Sequence, residues 1–454
     1  MKSIRPRRRR DGHATRKRAD VSLEWITLCA FCALLLACVL LNVPILYALA
    51  AGLFIFLLYG RRRGFSWRAL AGMCVEGIRT VKNIMIALLL IGILTAVWRA
   101  AGTIPLIVCR ASRLIRPSVF LLTAFLLNAA VSVLTGTSLG TAATMGVICA
   151  AMGSAMGVDV RLTGGAVLSG AYVGDRCSPV STSALLVATL TGTDIYDNLR
   201  RMLSTALIPF VFTCAAFGAI SALTAAPADA PDLEAMFGSA FALHWTAALP
   251  AVVILALAAL RVNVKWSMAA SILTALPICV LLQGMSAAQL LRTALLGFRA
   301  PSAGIGSMID GGGIVSMLRV TGIVCLSSSF SGIFQKTGLL DGVKRHIGQL
   351  SDHTTPFIAT LCTSVVAGML ACNQALCIML TSQLCADLTD DPARRAVDLE
   401  DTAVIVSPLV PWCIAGAVPL ASVGAPASAL LAAVYLYAIP LWHSALSLVQ
   451  KRRK

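Results

Sequence analysis

Apolar runs of about 18 or more residues recur from Trp25 to Val449, and short polar connections separate them. Charged residues make up 13% of the 454 positions, where a soluble domain carries roughly 25%. Hydrocarbon offers no water to the backbone, so runs of this length must satisfy their own N–H and C=O groups as helices. The fold class predicted is an all-α polytopic membrane protein with about ten spans. The spans read as Trp25–Leu41, Ile45–Tyr59, Asn83–Trp98, Leu162–Leu190, Leu203–Leu223, Leu243–Leu260, Trp266–Leu282, Ile314–Phe334, Thr402–Val423 and Ala427–Val449. Leu162–Leu190 and Thr402–Val423 are interrupted and read as two broken helices.

Two further apolar pairs lie between the spans. One runs from Val119 to Met156 and breaks at Thr135–Thr141; the other runs from Pro356 to Leu388 and breaks at Ala371–Gln374. Their arms fall short of the roughly 20 residues that a span needs, so they read as two re-entrant hairpins, over 117–157 and 356–388.

The formal net charge is +17, and the excess sits at the ends and in short loops, as in RPRRRR (Arg5–Arg10), RKR (Arg16–Arg18) and KRRK (Lys451–Lys454). Basic flanks stay on the cytoplasmic side, so both termini are expected there. The chain then divides into a basic tail (1–22), a first membrane half (23–224), an acidic external loop (225–242), a second half (243–449) and a second basic tail (450–454). Arg99, Arg110, Arg113 and Arg116 fall outside on this count, so either they lie in the interface at helical spacing or the count is off by one there. The first 20 residues are too basic for a signal peptide, and no small-residue cleavage site follows the first run. No aromatics interleave with the terminal arginines, so no nucleic-acid partner is expected.

Most of the 15 cysteines lie singly in apolar runs and behave as small hydrophobes. Cys29 and Cys32 are inside the first run, where redox chemistry is not expected. The histidines (His13, His244, His346, His353, His443) form no cluster in sequence. No cofactor is expected, and no metal beyond a transported cation. Arg319 either faces a cavity or reaches the interface, and Gly311–Gly313 lacks the lysine of a phosphate loop.

Ile78–Ile104 and Ile314–Leu340 share a pattern, with Gly102 and Gly338 each 24 residues after the leading isoleucine. Each copy is followed by a polar-tipped hairpin and then a span broken at Ser-Pro, Ser178-Pro179 in one and Ser407-Pro408 in the other. Each half carries an odd number of spans, so the halves are predicted to be inverted repeats. Inverted repeats whose discontinuous helices meet at the midplane build secondary transporters.

The candidate site follows from those breaks. Proline removes a donor and frees a carbonyl, so Ser178, Pro179, Ser407 and Pro408 are expected to expose groups that suit a small hard cation. Ser181 and Thr182 add hydroxyls after the first break. Thr137 and Ser138 at the first tip, and Asn373 and Gln374 at the second, offer neutral oxygens and amides, though turn chemistry uses the same residues. Asp175 is a carboxylate in an apolar stretch and must be paired or hydrated. It reads as a proton carrier, a cation ligand, or the partner of a base such as Arg176, which points about 100° away on a helix. Glu400 and Asp401 stand at the expected start of the second broken span, where they either complement the helix dipole or join Asp175 as coupling candidates.

At these residues the chain resembles the NhaC family of sodium/proton antiporters, which also includes malate/lactate exchangers. The resemblance covers most of residues 60–448. It rests on GTSLGT (Gly136–Thr141), SGAYVGDRCSPVSTSA (Ser169–Ala184), GGIVSM (Gly312–Met317) and EDTAVIVSPLVPW (Glu400–Trp412). It implies the ion-transporter type of fold, cation-coupled exchange by alternating access, and a bacterial inner-membrane location. The chain departs at two positions. Thr182 stands where the family's S-P-L-S-D-T-T has its acid, and Asn373 where G-D-Q has its own. The resemblance then leaves proton coupling to Asp175, Glu400 or Asp401, with Asp175 first.

The expected activity is cation/proton antiport. Exchange of organic anions or amino acids is the alternative, which the neutral Thr182 and Asn373 fit better. The partners expected are the lipid bilayer, protons and a transported cation and/or small organic solute; a homodimer is left open. An enzyme is not expected: YVGD lacks the GxGD glycine of an intramembrane aspartyl protease, and no second mid-span aspartate faces it in sequence.

Overall fold

The computed structural model describes residues 26–31, 33–34, 37–38, 43–224, 237–260, 262–300, 305–306, 309–337, 354–371 and 373–452. The tail 1–22, most of the acidic loop, Gly338, Cys372 and the last two residues lie outside them, as do His13, His346 and His353. The described residues form helices and no strand, only one isolated bridge between Phe298 and Gly311. The protein is an all-α, multi-pass membrane protein.

Eighteen helices carry the argument, numbered in chain order. They begin with α1 (Ile45–Arg62), α2 (Trp67–Thr80), α3 (Lys82–Ala100) and α4 (Thr103–Leu114). The first helix pair is α5 (Phe120–Thr135) and α6 (Ser138–Ala155), followed by α7 (Val160–Cys177), α8 (Thr182–Thr191) and α9 (Ile195–Thr224). Then come α10 (Leu249–Ala259), α11 (Val264–Leu281), α12 (Ala287–Leu296) and α13 (Ile314–Thr337). The second pair is α14 (Pro356–Ala371) and α15 (Gln374–Leu384), followed by α16 (Pro392–Leu409), α17 (Ile414–Ser422) and α18 (Val434–Arg452).

Among the described residues, five helices are long and apolar enough to cross a membrane, or six if the bent pair α16 and α17 is one span. Four shorter apolar helices accompany them. The sequence reading of about ten spans and these lengths differ where runs break early. Leu243–Leu260, for instance, becomes a 3₁₀ turn capped by His244 and then the 11-residue α10.

The two tip-bearing pairs differ from each other. Pro117–Thr135 has 19 residues and Ser138–Ala155 has 18, each enough to cross, because helix α6 continues through a π turn at Ala142–Gly146. The second pair has arms of 16 and 11 residues, about 24 and 16 Å long, short of the roughly 30 Å hydrocarbon core. The arms of the first pair run antiparallel, and Asn128 on α5 donates to the Cys149 sulfur on α6 at 3.4 Å. Gly136 ends α5 in the left-handed region (φ 66°), where its N–H reaches Ser132 O at 2.7 Å. The repeat segments also differ. The first splits at Val81 between α2 and α3, whereas the described part of the second is the single helix α13. The arginine segment after Arg99 is the 12-residue α4, about 18 Å long and too short to cross.

Packing of α5 on α7 sets the position of Asp175. Both helices are apolar or small on the shared face, and lipid gives helices little hydrophobic drive to associate, so close backbone approach does the work. A Cβ on Gly174 would lie 2.0 Å from the Ser132 carbonyl carbon. Ser132 Oγ accepts from Gly174 N at 3.1 Å and donates to Ala171 O, locking the register. Phe125 packs outward against Phe210, Phe217 and Tyr435, with ring centroids 5.3, 5.6 and 6.2 Å away. Gly174→Ala is expected to lower stability by about 1–3 kcal/mol through overpacking, read as a lower Tm in detergent; an unchanged Tm would contradict this contact.

Candidate functional site

The helix α7 runs buried from Thr163 to Arg176 and stops at Cys177. The chain then turns through Ser178–Ser181, and Ser181 caps α8 by accepting from Ala184 N at 3.3 Å. Asp175 sits one turn before this break and is 3% exposed. Its Oδ1 accepts the N–H of Ser138 at 3.2 Å. Its Oδ2 accepts the Ser183 hydroxyl and the Gln374 amide, each at 2.9 Å. Gln374 also donates to Val404 O at 3.2 Å, so this one side chain joins the break at Asp175 to helix α16.

Both tips start a helix beside Asp175. Thr137 caps α6 by accepting from Gly140 N at 2.7 Å, and Asn373 caps α15 by accepting from Leu376 N at 2.8 Å. The positive ends of two helices therefore meet a single carboxylate. A cavity of about 490 Å³ opens at this point, lined by Thr137, Ser138, Asp175, Thr182, Asn373 and Gln374, with Ile414 and Ala415 from α17. Asp175 is the one ionisable residue among those lining it.

Ser178, Pro179, Ser181, Ser407 and Pro408 do not line this cavity. The freed carbonyls expected at the breaks are taken up locally. Ser181 Oγ donates to Asp175 O and Ser407 Oγ to Val404 O at 3.3 Å, while Ser178 Oγ donates at 2.7 Å to Val133 O in the last turn of α5. A serine beside a break is the nearest donor to the carbonyl that the break orphans, and here it closes that carbonyl off.

The second broken span begins earlier than Thr402. Asp391 caps it, accepting from Ala393 N at 2.9 Å, and Pro392 opens its first turn. Glu400 and Asp401 consequently lie inside the span, in the π turn Glu400–Val404, and not at a helix N-terminus. The Asp-Pro pair is the sequence signal that marks this start.

Arg176 turns away from Asp175 and meets Asp401. Both side chains are fully buried. Arg176 Nε donates to Asp401 Oδ1 at 2.7 Å, and the guanidinium also reaches Thr205 Oγ1 at 2.7 Å and Met202 O at 3.3 Å. The other oxygen of Asp401 lies 2.7 Å from His443 Nδ1, and His443 Nε2 is 3.7 Å from Asp398. Phe357 stacks on the imidazole at 3.9 Å between ring centroids. His443 thus belongs to a cluster that sequence order hid; the signal was the Asp398–Asp401 spacing, which puts both acids on one face of a helix. Glu400 differs from its neighbours: it is 0% exposed, and neither carboxylate oxygen has a hydrogen-bond partner among the described residues.

Discontinuous helices that meet at a buried, acid-bearing cavity in an all-α membrane protein define a secondary active transporter. The sequence matches the Na+/H+ antiporter family over residues 22–194 and 185–448, and the chain belongs to that family. It is 30% identical over 402 residues to the malate-2H(+)/Na(+)-lactate antiporter of Bacillus subtilis, covering 85% of each chain. It is 30% identical over 382 residues to the Na(+)/H(+) antiporter NhaC of the same organism, covering 80% of this chain and 83% of that one. The arginine/ornithine antiporter ArcD of Halobacterium salinarum is 27% identical over 379 residues, with 80% of this chain and 78% of that one covered.

Proposed function

We propose that this protein exchanges sodium for protons by alternating access, and that the two ions compete for Asp175. The observation that carries this reading is that Asp175 alone among the cavity-lining residues can take up a proton or balance a cation. With Thr182 and Asn373 neutral, the cavity has one carboxylate, which cannot hold a proton and a sodium ion at once, so occupancy by one ion displaces the other. Hydroxyl and amide oxygens of Thr137, Ser138, Thr182, Asn373 and Gln374 complete a hard, oxygen-rich shell. In this reading the halves 23–224 and 243–449 are inverted repeats, the helix pair 356–388 is re-entrant, and both termini are cytoplasmic. Sodium gradients imposed on proteoliposomes should drive proton movement; a wild-type protein that moves none would overturn the assignment.

Glu400 takes a different role from Asp175. An ionised carboxylate with no partner costs several kcal/mol in such surroundings, so its neutral form is the one this site accommodates. Glu400→Gln, the neutral isostere, is expected to fold and to keep sodium-dependent exchange within about threefold of wild type. A complete loss of exchange in a folded Gln variant would show that Glu400 must ionise in the cycle.

The second reading is exchange of an organic solute, in line with the names of the malate/lactate and arginine/ornithine relatives. The neutral Thr182 and Asn373 in the cavity favour it. A panel of salts and carboxylates tested for thermal stabilisation separates the two readings.

A further inference from the structure

The 10-residue helix α12 is about 15 Å long, half of what a span needs. Its sides differ in chemistry. Leu291 and Leu295, four apart, are exposed, while Gln289, Arg292, Thr293 and Leu296, spaced i, i+3, i+4 and i+7, line one cavity. A short helix with an apolar face beside a basic one lies in the membrane interface, its leucines in hydrocarbon and its cations at headgroup level.

The cavity holds about 610 Å³ and lies between α12, the end of α3 at Ala100 and the turn Gln283–Met285 that follows α11. Its frame is fixed. Ser286 and Gln289 close a capping box at the start of α12, with bonds of 3.3 and 2.8 Å. Gly297 ends the helix at φ 97°, and Phe298 exchanges two backbone hydrogen bonds with Gly311, both 3.0 Å, which set the backbone beside Arg299. Gln283 is committed, with Nε2 on Ala101 O and Ala242 O and Oε1 on Ala242 N, each at 3.2 Å. Arg292 and Arg299 are exposed and make no ion pair or side-chain hydrogen bond among the described residues. The described residues lining this cavity include no acid. Leu296 is 62% exposed, so the two cations stand beside apolar surface.

We propose that this cavity binds the headgroup of an anionic phospholipid, its phosphate held by Arg292 and Arg299 and its acyl chains running past Leu296. Forked guanidinium groups match phosphate oxygens in paired, charge-assisted hydrogen bonds. A net-negative lipid is favoured over a zwitterionic one, because no carboxylate among the described lining residues could receive an ammonium group. A free phosphate would satisfy the arginines and leave the exposed leucines uncovered. The site shares no lining residue with the Asp175 cavity, so it does not rest on which ion is exchanged there.

The test is thermal stabilisation and native mass spectrometry of the delipidated, detergent-purified protein. The probes are phosphatidylglycerol, phosphatidylcholine with the same acyl chains, and inorganic phosphate. Phosphatidylglycerol is expected to stay bound and to raise the Tm above the phosphatidylcholine value. Arg292→Gln combined with Arg299→Gln should weaken that binding about tenfold, and the matching Lys pair should fall between, because it keeps the charge and loses the fork. Arg200→Gln with Arg201→Gln makes the same charge change on exposed residues outside the cavity, and should bind as wild type does. Equal responses to the two lipids, an equal response to inorganic phosphate, or equal losses in the two Gln pairs would overturn the proposal. So would an Arg292→Gln, Arg299→Gln protein whose Tm falls as far without lipid as with it, since the arginines would then serve the protein's own acids.

Discussion

Asp175→Asn is expected to reduce sodium-dependent proton movement to the leak rate of empty vesicles while the protein stays folded. The substitution keeps the side chain's shape and removes its charge. Ser138 N–H still finds an oxygen at Oδ1 and the Ser183 hydroxyl can turn to accept from the new NH₂ group, while the Gln374 amide can accept from it only by giving up its bond to Val404 O, so the network closes at the cost of about one hydrogen bond. What disappears is the one cavity-lining group able to alternate between a proton and a cation. A folded Asn variant that exchanges at the wild-type rate would move the coupling site elsewhere. Asp175→Ala makes a poorer test, because it strands three donors in a buried site and confounds transport with stability.

Removing one member of the Arg176–Asp401 pair should have the largest effect on stability. Both side chains are fully buried, and Asp401→Ala leaves a guanidinium whose remaining partners are neutral. Breaking a buried pair from one side costs about 3–5 kcal/mol, a large share of what a domain has to lose. Little monodisperse protein is expected from Asp401→Ala or Arg176→Ala. The double replacement Arg176→Met, Asp401→Leu should recover much of the loss, since apolar residues of similar volume carry no desolvation cost. A double variant as unstable as either single one would show that the pair does more than neutralise itself. His443 lies 2.7 Å from Asp401, so its contact is removed alike in Asp401→Ala and in the double variant, and is kept in Arg176→Ala.

The cavity residues were legible for a plain reason. Asp175, Thr182, Asn373 and Gln374 are polar in stretches apolar enough for hydrocarbon, and such residues persist only where protein or water receives them. Thr137 and Ser138 stood out by the same contrast, but their caps show that turn chemistry and the cavity use the same residues. The serines at the breaks lie off the cavity lining. Ser178, Ser181 and Ser407 look like open oxygens in sequence, and each spends its proton on a nearby carbonyl. The start of the second broken span was present as Asp391-Pro392, a local capping signal outweighed by the apolar run that begins further on.

Hydropathy and local chemistry are properties of a segment, and they decide that this chain is a helical membrane protein with polar breaks in the neighbourhood of Gly136–Thr141, Ser178–Thr182 and Asn373. Pairing is a property of two segments. Arg176 is next to Asp175 in the chain, yet its charge is met by Asp401, 225 positions away. Gln374 reaches Asp175 across 199 positions, and His443 closes on Asp401 across 42. A buried charge must be neutralised by whatever the fold brings within a few ångströms, and sequence spacing carries no record of that distance.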